Sequence, residues 1–179
     1  MKHLLLILVT GLILQQCRNK EETISFPYPG KPLVPSSIQQ QHDSLLNKLS
    51  VIALLRDSTG KLAIRLQELV THHFKEEEDY VLPALGVLPL LANGKLPDES
   101  KELIRLIDKF KSNLAHMIAE HQLIKAYLTE LAHMAHKENH PEIVEFEKEL
   151  HKHASEEEEV FFPTALLVGD YLKLKLPSE

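Results

Sequence analysis

The chain has 179 residues, of which 44% are apolar and 26% charged, and these proportions are typical of one globular domain. The net charge of −6 and the scattered basic residues argue against a nucleic-acid partner. A single cysteine excludes an internal disulfide and any zinc or iron–sulfur site built from several thiols. Eleven histidines are unusual for this length, and they are the main candidates for function.

Residues 1–17 are interpreted as an export signal. Lys2 precedes an apolar run from Leu4 to Leu14 that is too short to span a bilayer as a stable anchor. Cys17 follows this run, and the segment resembles a bacterial lipoprotein signal, in which such a cysteine is lipidated and becomes the first mature residue. Gln16 replaces the small residue that usually precedes the cysteine. A cleaved signal with an incidental thiol, or an uncleaved N-terminal anchor, therefore stays open.

Residues 18–35 are predicted to form a flexible tether. The stretch from Phe26 to Pro35 is rich in proline and glycine, which disfavours a helix and favours extended backbone. If Cys17 is lipidated, the tether holds a soluble domain away from the membrane. The expected location is the cell envelope, as an outer-membrane lipoprotein that faces the periplasm or the cell surface.

Residues 36–179 are predicted to form an all-α domain. Apolar residues recur at spacings of three and four, with interruptions at residues 57–60, 83–97 and 139–141, which gives four helices. The fourth helix begins near Pro141, and its buried stripe includes Val160. Because short connections join long helices, we expect an up-down-up-down four-helix bundle.

The domain repeats itself at an offset of 80 residues. Residues 73–83 match residues 153–163 in a histidine, three acidic residues and a final proline. The same offset, within one residue, pairs His42 with His121. Each half is therefore a helical hairpin, with one histidine on its first helix and His-x-x-x-Glu followed by proline on its second.

This arrangement predicts a metal site inside the bundle. Histidine and glutamate four residues apart lie on one helix face, so both side chains can reach one metal ion or two adjacent ions. Buried Glu77 and Glu157 would be costly in an apolar core unless a cation compensates their charge. Imidazoles with carboxylates suit iron, manganese or zinc, and they do not select copper(I) or an iron–sulfur cluster.

These residues resemble the hemerythrin-like HHE cation-binding domains. The resemblance extends from His42 to Val168 and depends on the two His-x-x-x-Glu-Glu stretches with their prolines and on the Glu120–His121 pair. It implies a hemerythrin-like four-helix bundle with a centre of two iron ions bridged by two carboxylates and an oxygen species. Carried over by position, the terminal ligands would be His42, His73, His121 and His153, and the bridges would be Glu77 and Glu157.

Two features qualify this resemblance. Met117 stands one turn before His121, where the oxygen-carrying hemerythrins have a further histidine. Because a thioether is a poor iron ligand, the departure implies an open coordination position, and reactivity rather than reversible oxygen carriage. His72 stays open as an alternative to His73, since it also has an acid four residues later, at Glu76.

The leading hypothesis is a di-iron protein of the cell envelope that binds, senses or reduces dioxygen, nitric oxide or peroxide, with zinc or manganese as other metals. The sequence has no nucleophile elbow and no Gly-rich phosphate loop, so any activity must come from the metal. The alternative is a helical envelope lipoprotein that acts as an interaction module, metal-free or with zinc only. The sequence names no protein partner.

Glu78 and Glu158 could orient ligating imidazoles. The other histidines of the domain are expected at its surface: His116, His133, His136, His140 and His151.

Overall fold

The computed structural model describes residues 34–176. The predicted export signal, Cys17 and all but the last two residues of the predicted tether lie outside this range. The helices are, in chain order, α1 (Ser36–Ile52), α2 (Ser58–Tyr80), α3 (Pro83–Gly86), α4 (Leu88–Ala92), α5 (Ser100–Lys137), α6 (Ile143–Glu156) and α7 (Phe162–Lys175). A π-helical turn, Glu157–Phe161, joins α6 to α7 without a break. None of the helices within residues 34–176 is long and apolar enough to cross a membrane.

Four long segments form the bundle: α1, α2, α5, and the combined α6, π turn and α7. The first segment packs against α2 and α6, and α5 packs against the same two helices, so the four close into a ring. The predicted all-α bundle is confirmed. The predicted break at residues 83–97 is only partly a loop, because it contains the short helices α3 and α4, with Pro83 and Pro89 in their first turns.

The interior of the bundle is divided into two apolar clusters. The first contains Tyr80, Phe110 and Phe162, and the second contains Leu49 and Leu128. Along the chain, α1 and α5 contribute to the first cluster before the second, whereas α2 and the segment from α6 to α7 contribute in the reverse order. This alternation is expected for antiparallel neighbours. Along each segment, the buried histidines and glutamates lie where the two clusters meet, and in α2 Phe74 of the second cluster stands between His73 and Glu77. The bundle therefore contains a polar layer with apolar packing on both sides.

One detail of the predicted stripe is wrong. Val160, expected on the buried face, is 53% exposed. The π turn adds a residue to the helical repeat and rotates the chain, so the next buried residues are Phe162 and Ala165.

The junction between α1 and α2 is fixed to the far end of α5. Asp57 caps α2 by accepting a hydrogen bond from the Gly60 amide, at 3.0 Å. Glu138, at the end of α5, accepts hydrogen bonds from the amides of Ser58 and Thr59, at 3.1 and 2.8 Å. His140 Nε2 lies 2.7 Å from the Asp57 carboxylate. These contacts satisfy the free amides at the start of α2 and join the two hairpins.

The Asp57–His140 pair predicts a pH-dependent contribution to stability. The contact with His140 and the hydrogen bond from the Gly60 amide lower the pKa of Asp57. The contact with Asp57 raises the pKa of His140. The Asp57 contribution is therefore lost as the pH falls through its lowered pKa, and the His140 contribution is lost as the pH rises through its raised pKa. We expect the stability advantage over His140→Gln to be largest between about pH 4 and 6.5.

Urea unfolding across that pH range measures this advantage. His136→Gln, at an exposed position near the same end of α5, is the control and should show little pH dependence of this kind. An advantage over His140→Gln that stays constant from pH 3 to 9 would contradict the prediction.

Candidate metal centre

The six residues predicted as metal ligands come together in the polar layer. They are, in chain order, His42, His73, Glu77, His121, His153 and Glu157, and each is at most 4% exposed. All four long segments of the bundle contribute to this set. His72, the alternative to His73, points outward with 64% of its side chain exposed. The structure therefore places His73, and not His72, among the buried residues.

The first group of inward atoms lies between α2, α5 and the π turn. Nε2 of His73 is 3.2 Å from Oε1 of Glu77. Nε2 of His121 is 3.7 Å from the same Glu77 oxygen and 3.4 Å from Oε2 of Glu157. One ligand atom from each of these four residues lies within 4.8 Å of all the others. This group could hold one metal ion.

The second group is centred on His42 and His153. Nε2 of His42 is 3.6 Å from Oε2 of Glu77 and 3.5 Å from Oε1 of Glu157. Nε2 of His153 is 2.8 Å from that same Glu157 oxygen. Each glutamate therefore directs one oxygen to each group. Two ligands bound about 2.0–2.1 Å from one metal lie about 3.0–3.4 Å apart, and the spacings in the two groups, 2.8–3.7 Å, lie within a few tenths of an ångström of that range.

The inward atoms have no hydrogen-bond partner. Within residues 34–176, Nε2 of all four histidines and both oxygens of Glu77 and Glu157 are buried and unpaired. These atoms approach one another, but without hydrogen-bond geometry, as expected when lone pairs are directed at a shared centre. Buried polar atoms are rarely left unsatisfied, because each costs free energy. The residues present therefore fit a metal centre.

Carboxylates hold the outer nitrogens of three of these imidazoles. The pairs are His42–Glu78, His73–Glu120 and His121–Glu158, with Nδ1–oxygen distances of 2.9–3.0 Å. An imidazole that donates its Nδ1–H to a carboxylate presents the Nε2 lone pair on the other side of the ring. Glu78 and Glu158 are the residues predicted for this role. Glu120 was not predicted for this role, although helical periodicity places it one turn after His116 and beside the seam.

The polar layer has a strongly negative potential. Burial lowers the pKa of His121, but the carboxylates of Glu157 and Glu77 outweigh burial and raise it to about 10. Burial raises the pKa of Glu157, yet the facing imidazoles hold it well below the usual range. The same carboxylates that raise the pKa of His121 would attract a cation.

The backbone hydrogen bonding changes after each candidate bridging residue, just before the prolines of the repeat. The amides of Leu82 and Phe162 donate to the carbonyls of Glu77 and Glu157, five residues earlier. The next residue in each copy is a proline, which has no amide hydrogen and whose ring crowds the carbonyl four residues earlier. The second copy therefore widens into a π turn at Glu157, as π turns do at many functional sites, whereas in the first copy the Glu77 carbonyl also accepts the ordinary helical bond from the Val81 amide, at 2.8 Å, where α2 ends.

Tyr80 and Met117 meet next to the polar layer. The Tyr80 hydroxyl donates a hydrogen bond to the Met117 sulfur, at 3.2 Å, and both side chains are buried. Burial and the nearby Glu76 carboxylate raise the pKa of Tyr80, so its hydroxyl stays protonated. Met117, one turn before His121, is therefore already engaged and offers only a weak ligand.

The family comparison agrees with this geometry. The family described as "Hemerythrin HHE cation binding domain" matches residues 34–165. The chain belongs to this family, and its buried histidine and glutamate clusters fit the cation-binding function that the family implies. No curated protein and no solved structure gives a significant match.

The Nδ1 contacts predict that an outer carboxylate controls metal affinity. Glu158→Gln should weaken metal binding by about 10–100-fold, because the amide holds the His121 ring less strongly. Isothermal titration with a divalent metal measures the change. Glu159→Gln, the exposed neighbour, is the matched control and should bind like the unmodified chain. Equal affinities of the two variants would contradict an orienting role for Glu158.

Proposed function

We propose that this hemerythrin-family chain is a di-iron protein that binds, senses or reduces a small oxidant such as dioxygen, nitric oxide or peroxide. The observation that carries the proposal is the set of unpaired inward atoms, which divides into two groups that share the carboxylates of Glu77 and Glu157. The proposed ligands are the six predicted residues, with four histidines as terminal ligands and the two glutamates as bridges.

The donor atoms favour iron. Within residues 34–176, the two buried groups offer imidazole nitrogen and carboxylate oxygen without thiolate, a set that suits iron and also accepts zinc or manganese. A bound iron pair would supply electrons and open coordination positions for a small oxidant.

The surrounding side chains limit what can enter. The two apolar clusters exclude bulk water on both sides of the polar layer, and Met117 leaves one face of the His121 group without a strong protein ligand. On another side, His153 lines an open surface pocket of about 260 Å³ together with Gln41 and Leu45. This pocket offers a short route for a diatomic molecule or a metal ion.

Metal content and colour test this proposal. Chain purified without air should contain about two iron ions and should gain charge-transfer absorption on exposure to oxygen. The Glu77→Gln/Glu157→Gln double variant should lose both the iron and the absorption. Iron should also raise the melting temperature of the unmodified chain, because metal that binds only the folded state stabilises it.

The alternative function predicts the opposite results. An interaction module without a functional metal would bind no stoichiometric iron. Its stability would change little or rise in the double variant, because buried charged groups would have been removed. Colourless chain with zinc alone would likewise overturn the oxidant chemistry.

We also propose that the chain acts in the cell envelope, attached to a membrane through a lipid on Cys17. The support is the apolar run from Leu4 to Leu14 immediately before this cysteine. In a bacterial host, Cys17→Ser should move the chain from the membrane fraction to the soluble fraction. Gln16→Ala, which keeps the cysteine, is the control and should stay with membranes. A Cys17→Ser chain that remains in the membrane fraction would contradict lipid attachment.

A further inference from the structure

A second set of histidines and glutamates lies on the outer face of α2 and α5, outside the polar layer. We call it the surface cluster, and its members are His72, Glu76, His116 and Glu120. The two histidines are 64% and 54% exposed, whereas Glu76 is 23% and Glu120 11% exposed. The carboxylates therefore lie on the buried side of the cluster, and the imidazoles lie on its solvent side.

The atoms of the surface cluster are spaced like metal ligands. Nδ1 of His72 is 3.6 Å from Oε1 of Glu120. Nε2 of His116 is 3.5 Å from that oxygen and 3.5 Å from Oε2 of Glu76. These separations are close to the distance of about 3.4 Å between two ligands of one tetrahedral metal. Ligand atoms of His72, Glu76 and Glu120 also lie within 4.8 Å of one another.

The carboxylates of the surface cluster form ion pairs with histidines only, among the residues that the structure describes. In the described part of the chain, neither Glu76 nor Glu120 forms an ion pair with a lysine or arginine. Oε2 of Glu76 is buried and has no hydrogen-bond partner there. Two adjacent carboxylates of this kind repel each other, and a cation between them would remove the repulsion.

We propose that the surface cluster is a further binding site for a first-row divalent metal ion. Imidazole nitrogen and carboxylate oxygen are suitable ligands for such an ion, and the exposed side of the cluster leaves room for bound water. The inference does not depend on which metal occupies the polar layer.

Another group of candidate ligands has a structural role only. Asp57, Glu138 and His140 also lie within metal-binding distance of one another. Their carboxylates, however, accept hydrogen bonds from the first amides of α2, and His140 pairs with Asp57. Because these groups are already paired, that cluster serves as a helix cap. The unpaired Glu76 oxygen distinguishes the surface cluster from it.

The surface cluster shares one carboxylate with the surroundings of the polar layer. Oε1 of Glu120 faces His72 and His116, while Oε2 lies 2.9 Å from Nδ1 of His73. A cation bound at Oε1 would draw negative charge away from the contact with His73. Occupation of the surface cluster is therefore expected to weaken metal binding at the His73 side of the polar layer and to be weakened by it in return.

Zinc titration of the full, metal-free chain tests the site. Isothermal titration and elemental analysis after dialysis against free Zn²⁺ count the ions bound. The His72→Ala/His116→Ala variant should bind one zinc ion fewer per chain than the unmodified protein. Both side chains are exposed, so the variant should fold, which circular dichroism verifies. His133→Ala/His136→Ala, which removes two other surface histidines of α5, should keep the full count.

A second variant distinguishes zinc binding at the surface cluster from metal binding in the polar layer. The Glu77→Gln/Glu157→Gln variant should lose the ions of the polar layer and keep the zinc ion that depends on His72 and His116. If the polar layer binds no metal, the unmodified chain should still bind this one ion, so the two proposals fail independently. An unchanged zinc count after His72→Ala/His116→Ala, or an equal loss in the His133→Ala/His136→Ala control, would overturn the inference.

Discussion

The rest of the structure depends on two carboxylates buried in the middle of an apolar bundle. Glu77 and Glu157 are at most 1% exposed, and an ionised carboxylate in such surroundings needs a nearby positive charge. Four histidines supply the facing groups, and carboxylates farther out hold three of their rings in position. The apolar clusters on both sides close the layer from water. The need for charge compensation therefore determines the residue types that each long helix contributes to the polar layer.

The backbone is adapted to the same requirement. In each half of the chain a proline follows the central glutamate by six residues, and the amide before that proline donates to the carbonyl of the glutamate. The first copy ends its helix shortly afterwards, whereas the second continues as α7. The same local sequence can thus position a carboxylate and still allow two different continuations of the chain, because the distortion is complete before the next element begins.

Much of this could be predicted from the sequence. Apolar spacing of three and four gives the long helices, and the internal repeat selects the six inward residues from eleven histidines and many acids. The exposure of Val160 could not be predicted, because helical periodicity assumes regular α-helical hydrogen bonding without a π turn. The helices α3 and α4 could not be predicted either, because they are too short to show an apolar period. The contact of Glu120 with His73 joins residues 47 positions apart. It depends on how α2 and α5 are rotated against each other, which spacing within one helix does not specify.

The division of ligands between the two hairpins has a consequence for how the molecule matures. Each group in the polar layer combines atoms from the first hairpin with atoms from the second, so neither hairpin contains a complete coordination sphere by itself. The centre consequently reports tertiary docking rather than helix formation. A chain with correct helices but separated halves would lack the assembled ligand set, so any metal binding in the polar layer would require the two halves to dock first.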